Sequence, residues 1–320
     1  MKISVAIPAY NCASTIRFTL DSVFSQTVQP DEILVLNDGS TDDTLAILKS
    51  YEPRISVLSQ PNQGVASARN ALCKHAQGDL IAWLDSDDIW HPRYLEVQRS
   101  IYNESPPAVA YFTAHVNFSG EGNYEWQSDP AELHTEIQVI PSLPFLKRYS
   151  KAPGPFMCVS HCCIPKRVFN SLGQEPFKLK MAEDLYFFNL AVPAGPVAFL
   201  PKPMVAYRVR QDSLSSDRLK LTQAEVQAFE LLNDRYATLG GGFRRAFKLS
   251  FGAKRRLHAK VLLGAGQLGP ARAQLRQSLG CLNLISLAKS LRLLLLSYLP
   301  ISLQPAWPSA QREWNGTTQP

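Results

Sequence analysis

The chain has 320 residues, with 33 Lys+Arg against 27 Asp+Glu and a formal net charge of +6. The charge is divided: residues 241–320 hold twelve basic residues and one acid, Glu313, a local +11, whereas residues 1–240 hold 21 basic and 26 acidic residues, a local −5. At 45% hydrophobic and 10% aromatic the sequence can bury a large core, which excludes wholesale disorder and fits one large or two ordinary domains.

Lys2-Ile3-Ser4-Val5-Ala6-Ile7-Pro8 is a β-branched run closed by proline, and then the period changes. Ile16, Leu20, Val23 and Phe24 fall on one helix face, behind capping residues at Asn11 and Ser14. The alternation repeats, with strands predicted over 32–37, 55–58 and 80–84 and helices over 42–50 and 65–75. This spacing predicts an α/β fold, a Rossmann-like, mostly parallel sheet with helices on both faces. Residues 104–160 show poor periodicity. Ala182-Glu183-Asp184-Leu185 opens an apolar pattern that runs to Leu190, and four helices are expected over 221–236, 243–263, 271–279 and 284–299.

The six cysteines do not read as a disulfide framework, since Cys158, Cys162 and Cys163 crowd together, and Met1 runs into a strand-like segment without a secretory leader. Reduced thiols and a cytoplasmic chain are the expectation. The longest apolar run, 282–303, is broken by Asn283, Lys289, Arg292 and Pro300, short of the roughly 20 uninterrupted apolar residues of a spanning helix.

In open parallel sheets, ligands bind beyond the carboxyl ends of the strands. The residues there are Pro8-Ala9-Tyr10-Asn11, Asn37-Asp38-Gly39-Ser40 and Asp85-Ser86-Asp87-Asp88. Taken singly, each could be a turn built from common turn formers. Three carboxylates within four residues are different, because like charges so close repel unless a cation neutralises them. Magnesium takes one or two carboxylates plus substrate phosphates, which this cluster can offer.

Val5 to Asn11, Val35 to Asp42, Asn62-Gln63-Gly64 with Ala68-Arg69-Asn70, and Gly78-Asp79 leading into Trp83 to Asp88 stand in order and register over about residues 1–100. Together they resemble the family-2 glycosyltransferases, nucleotide-sugar-dependent enzymes with the A-type glycosyltransferase fold. By that resemblance Pro8, Tyr10 and Asn11 would line the nucleotide pocket, Asp38 would hydrogen-bond the base, and Arg69 and Asn70 would sit near the nucleotide. The Asp85 to Asp88 cluster would supply the D-x-D element, with Asp85 and Asp87 toward the nucleotide sugar and Asp87 and Asp88 toward Mg2+ or Mn2+. Asp184 would be the general base of an inverting transfer, with Glu183 an acceptor-site or orienting residue. Acids in a first helical turn also favour the helix dipole without any catalytic role.

Tyr207-Arg208-Val209-Arg210 resembles the segment that closes over the diphosphate, but Arg210 stands where the family often has His. An arginine cannot ligate a cation but pairs bidentately with phosphate oxygens, so Arg210 is expected to contact the leaving group. The implied division is a catalytic domain over 1–218 (nucleotide half 1–100, acceptor half 101–218), a basic helical module over 219–303 and a flexible tail over 304–320. The donor is a nucleotide sugar and the acceptor a cell-surface or lipid-linked glycan. The alternative is a catalytically inactive nucleotide-binding, membrane-associated adaptor on the same fold; a nucleotidyltransferase is disfavoured by the absence of a Gly-rich, Lys-bearing phosphate loop after the first strand.

Two patterns are decoys. Cys158, His161, Cys162 and Cys163 have zinc-ligand chemistry but no second ligand pair at suitable spacing. Gly264-Ala265-Gly266-Gln267-Leu268-Gly269 matches the dinucleotide fingerprint formally, yet it lies between helices and has no acid about 20 residues on. The basic helices from Phe243 onward, with Phe247, Phe251 and Leu257 interleaved, read either as an appendage packed on the catalytic domain or as a surface lying on anionic lipid. Nucleic acid is not expected, because no binding motif is present and the acidic body would repel a phosphate backbone.

Overall fold

The computed structural model describes residues 1–105, 107–126, 136–149, 159–173, 175–210, 216–280, 284–299 and 304–308. Cys158, residues 211–215, 281–283 and 300–303 and most of the expected tail (309–320) lie outside the described residues. The chain divides into two compact units, Met1–Phe145 with Gly154–Arg210, and Leu146–Pro153 with Gln211–Pro320.

The first unit opens with β1 (Ile3–Ala9), α1 (Ile16–Phe24), β2 (Glu32–Asn37), α2 (Thr44–Lys49), β3 (Ser56–Ser59), α3 (Val65–His75) and β4 (Leu80–Trp83). β5 (Ile89–Trp90), α4 (Tyr94–Glu104), β6 (Ala110–Phe118), β7 (Gln138–Ile140), α5 (Ser142–Tyr149, whose residues from Leu146 on are assigned to the second unit), β8 (Cys162–Pro165), α6 (Lys166–Leu172), α7 (Glu183–Ala191) and β9 (Val197–Arg208) follow. The described strands form one sheet in the order β3-β2-β1-β4-β8-β6-β9-β5, with β7 paired to one end of β9. β3, β2, β1 and β4 are parallel, as the βα alternation predicts. β8 then runs antiparallel between β4 and β6, and β6 and β9 are parallel with a register shift near Ala114.

β1 and β4 are buried along their whole length, so they read as continuous apolar runs. Ile3, Val5, Ile7, Ile16, Leu20, Val23, Val35 and Leu80 share one core with Trp90 and Tyr94, whose rings stack at 4.3 Å. The region of poor periodicity supplies β6, β7 and α5. The two strands are set by pairing with β8 and β9, partners distant in sequence that no local period reports.

The second unit contains α8 (Arg218–Thr238), α9 (Gly241–Gly264), α10 (Leu268–Ser278) and α11 (Leu284–Leu296). Asp217 caps α8 by accepting the Lys220 N–H at 3.0 Å. α8 packs on α9 through Phe229, Tyr236, Phe247 and Phe251, with Tyr236 stacked on Phe247 at 4.0 Å. The glycine-rich decoy is a turn joining α9 to α10, with Gly266 at φ 73°.

Candidate active site

The carboxyl ends of β1, β2 and β4 lie side by side because the three strands are in parallel register. Pro8 is buried within β1 opposite Leu36, whereas Tyr10, just past the strand, is 48% exposed. Asn11 takes φ 46° and ties its loop to the β2 turn: its N–H donates to Ser40 Oγ at 3.0 Å and its Oδ1 accepts the Thr41 N–H at 2.8 Å. Asp38 is buried and holds the segment before α3. Its Oδ1 accepts from Gln60 Nε2 at 2.7 Å and the Gln63 N–H at 3.0 Å, and its Oδ2 accepts the Gly64 N–H at 2.8 Å. A carboxylate offers about four acceptor positions, so these three donors leave about one free.

α3 presents Arg69 and Asn70 to the interior, and the two divide their work. Asn70 is committed at both ends to one backbone residue, donating from Nδ2 to the Phe177 carbonyl at 2.8 Å and accepting the Phe177 N–H at 3.0 Å. Its placement is therefore that of a clamp on the segment leading to α7. Arg69 is 3% exposed and reaches two carboxylates, donating from Nη2 to Asp85 Oδ1 at 2.6 Å and from Nη1 to Glu183 Oε1. Burial opposes its charge, but Asp85, Glu183 and Asp184 outweigh that and hold the guanidinium firmly protonated. Sequence reasoning placed Asp85 and Glu183 in different halves, and Arg69 brings them within one side chain's span.

Asp184 sits in the first turn of α7, where its Oδ1 accepts the Leu185 N–H at 2.6 Å. Ala182, which precedes the helix, takes φ 57°, a left-handed conformation that costs a non-glycine residue about 1 kcal/mol or more. Burial and the neighbouring Glu183 charge raise the Asp184 carboxyl to about 7, with Arg69 acting against them. That is the range in which a general base is half-loaded near neutral pH.

The Asp85 to Asp88 turn is held from three sides. Thr15 Oγ1 donates to the Ser86 carbonyl at 2.9 Å, Thr19 Oγ1 to the Asp88 carbonyl at 3.0 Å, and Ser160 Oγ accepts the Asp85 N–H at 3.0 Å. Arg208, at the end of β9, gives its backbone N–H to Asp88 Oδ1 at 2.9 Å and its Nε to the Asp87 carbonyl at 2.8 Å. Its Nη1 and Nη2 reach the Gly120 and Gly122 carbonyls, and its guanidinium lies 4.4 Å from the Phe118 ring centre.

Asp88 is fully buried, and burial followed by Asp87 and Asp85 pushes its carboxyl well above the ordinary range. Asp87 is raised to about 6 by burial and Asp85, with the charges of Arg210 and Arg208 opposing. Among the described residues no three His, Cys, Asp or Glu converge as a complete metal cage. The donor set nevertheless fits a hard divalent cation that keeps its remaining ligands for phosphate and water. It offers carboxylate oxygens, electrostatically frustrated by one another, on a rigid turn.

Thr15, Thr19 and Ser160 hold the candidate site but were not singled out by the sequence reading, and Arg208, named there only within the 207–210 segment, is placed on the turn itself. Thr15, just before α1, and Thr19 within it carry a signal in retrospect: small hydroxyls buried beside the apolar residues of that helix. Ser160 carries none.

Solved structures with the same fold include S. aureus TarS 1-349 in complex with UDP-GlcNAc (TM-score 0.57, 17% identity, 93% of this chain and 90% of that one). Another is the mannosyltransferase PcManGT from Pyrobaculum calidifontis in complex with GDP-Man and Mn2+ (TM-score 0.58, 19% identity, 92% and 80%). Among curated proteins, a hyaluronan synthase of Pasteurella multocida is 39% identical over 145 residues, 43% of this chain and 15% of that protein. Glycosyltransferase GlyA of Streptococcus pneumoniae is 29% identical over 231 residues, 67% of this chain and 31% of that protein. The matched stretch is thus a small part of these relatives. The family model for Glycosyl transferase family 2 matches residues 4–173, more than half of the chain and including β1 through β8. The protein therefore belongs to glycosyl transferase family 2.

Proposed function

We propose that the chain is an inverting glycosyltransferase. It moves a sugar from a nucleotide-sugar donor to an acceptor hydroxyl, assisted by Mg2+ or Mn2+, in synthesis of a cell-surface or lipid-linked glycan at the cytoplasmic side of a membrane. The observation that carries this reading is Arg69, which joins Asp85 beyond β4 to Glu183 at the start of α7 and so draws the carboxylate turn and Asp184 into one site. Relatives named as hyaluronan and chondroitin synthases support a glycan product, and fold neighbours holding UDP-GlcNAc or GDP-Man with Mn2+ support a nucleotide-sugar donor and a cation.

In this reading Tyr10 stacks on the base, and Asn11 and the remaining acceptor position of Asp38 define its edge. Asp85 would serve the ribose, Asp87 with the buried Asp88 behind it would hold the cation, and Arg210 would pair with phosphate oxygens. The cation, when bound, supplies neutralisation of the negative charge that develops on the diphosphate. Asp184, fixed at Oδ1 by the Leu185 N–H, uses Oδ2 to take the acceptor proton as the acceptor oxygen forms its bond to the anomeric carbon. The bond to the diphosphate oxygen breaks on the opposite face, and one displacement inverts the centre.

Release of nucleoside diphosphate from a panel of UDP- and GDP-sugars, with Mg2+ or Mn2+ and glycan acceptors, tests the reading. Asp184→Asn should keep donor binding and lose about 100-fold or more in turnover, the usual weight of a general base. Asp87→Ala should lose cation-dependent turnover. Saturable nucleotide binding with no release from any donor would establish the adaptor alternative.

A further inference from the structure

Of the basic residues of α9, Arg244, Arg245 and Lys248 are exposed, whereas three further along are engaged within the helical unit. Lys254 pairs with Glu225 at 2.5 Å, Arg255 with Glu230 at 3.5 Å, and Arg256 is buried and donates to Ser290 Oγ at 3.2 Å. The apolar side of α9 is likewise used within the helical unit, Phe247 and Phe251 against α8 and Leu262 and Leu263 beside Ala271 of α10. α11 is built the other way round. It turns serines inward: Ser290 and, just past its end, Ser297 are fully buried, with Ser290 Oγ 2.8 Å from Ser278 Oγ. Leu287, Leu293, Leu294 and Leu296 are half-buried, but Leu284 is 84%, Leu295 70% and Tyr298 54% exposed, and Ile285, Leu291 and Leu299 are also outside. A helix that buries hydroxyls and exposes leucines is mismatched to water, and a contiguous apolar patch of this kind marks an interaction surface.

The charges around the patch are of one sign. Lys289 and Arg292 are exposed among the leucines, Arg276 donates to Tyr298 Oη at 2.8 Å, and Arg272 lies 4.0 Å from the Tyr298 ring centre. No acid occurs between residues 241 and 312. A second copy would bring the same positive charge against this face, whereas an anionic bilayer offers both apolar depth and complementary headgroups. Among the described residues no helix is long and apolar enough to cross a membrane, so the fitting geometry is a helix lying in the interface.

We infer that α11, with Tyr298 and Leu299, is an interfacial anchor that seats its leucine face in an anionic lipid surface while Lys289, Arg292 and Arg276 meet the headgroups. This stands apart from the transfer chemistry, since it uses no residue of the candidate active site. The full chain should float with vesicles of phosphatidylcholine containing about a third phosphatidylglycerol. It should bind pure phosphatidylcholine much more weakly, and lose binding to the anionic vesicles as salt rises. Leu291→Glu with Leu295→Glu should abolish flotation without changing the thermal midpoint, because both side chains are exposed. Lys289→Gln with Arg292→Gln should lower partitioning about 25-fold, near five-fold per charge. Equal binding of the double Glu variant, no binding of the native chain to anionic vesicles, or concentration-dependent dimerisation lost in the Glu variant would each overturn the anchor, the last by assigning the face to a second copy. Release of nucleoside diphosphate from the donor in the presence of soluble acceptors should be unaffected by all these substitutions, which separates failure of the anchor from failure of the transfer reading.

Discussion

At the scale of single residues the site depends on what Arg69 holds together. It is a buried cation among Asp85, Glu183 and Asp184, so its removal leaves acids that repel one another without compensation. Arg69→Met should destabilise the protein by about 3–5 kcal/mol in urea denaturation, the usual consequence of breaking a buried ion pair from one side. Asn70→Ala should cost about 1–3 kcal/mol, because the Phe177 N–H and carbonyl lose their partners. A loss of donor affinity with unchanged stability in that variant would instead place Asn70 at the nucleotide. Asp184 gives a pH signature. With its carboxyl raised to about 7 by burial and Glu183, the base form is depleted as pH falls, so kcat should drop along an acid limb with a midpoint near 7. A profile flat down to pH 5 would exclude Asp184 as the base.

At the scale of elements, function sits where strands stop. Gly39 turns the chain after β2 at φ 71°, and a Cβ there would stand 2.6 Å from the Asn62 nitrogen. Gly39→Ala should therefore lower the thermal midpoint by several degrees and weaken nucleotide binding together, since the same turn positions Asp38. α1 shows how one helix serves two purposes: Ile16, Leu20 and Val23 fill the core while Thr15 and Thr19 on the adjoining stripe hold the Asp85 to Asp88 turn. The strand-helix periods of 1–90 were legible because each element there is amphipathic or continuously apolar in a local window. β6, β7 and β9 were not, because long-range pairing selects them.

At the scale of the whole molecule the acidic site sets the response to pH and cations. The folded-state carboxyls of Asp184 and Asp87 are raised to about 7 and about 6 from the ordinary value near 4, so the folded chain binds more protons than the unfolded one between about pH 4 and 7. Stability from these groups is present below about pH 4 and is lost as pH rises through 6 to 7. Scanning calorimetry should show the midpoint falling over that window, and Asp184→Asn should raise it at pH 8 while leaving it nearly unchanged at pH 4. Mn2+ or Mg2+ with donor should stabilise more at pH 8 than at pH 5, because ligands of the folded state compete with protons for the same oxygens.

The sequence by itself determined the parallel half of the sheet, the carboxylate turn after β4, the acidic start of α7 and the opposite charges of the two ends. All of these are written in short windows where period, turn chemistry and charge are local. Only the tertiary structure decided which of those residues meet. It gave Asn70 to Phe177 and Arg69 to two distant acids, recruited Thr15, Thr19, Ser160 and Arg208, neutralised part of α9 through α8, and left α11 with several of its leucines outward. The physical reason is that ion pairs, hydrogen bonds and burial are properties of neighbours in space, and those neighbours stand from 12 to more than 100 residues apart in the chain.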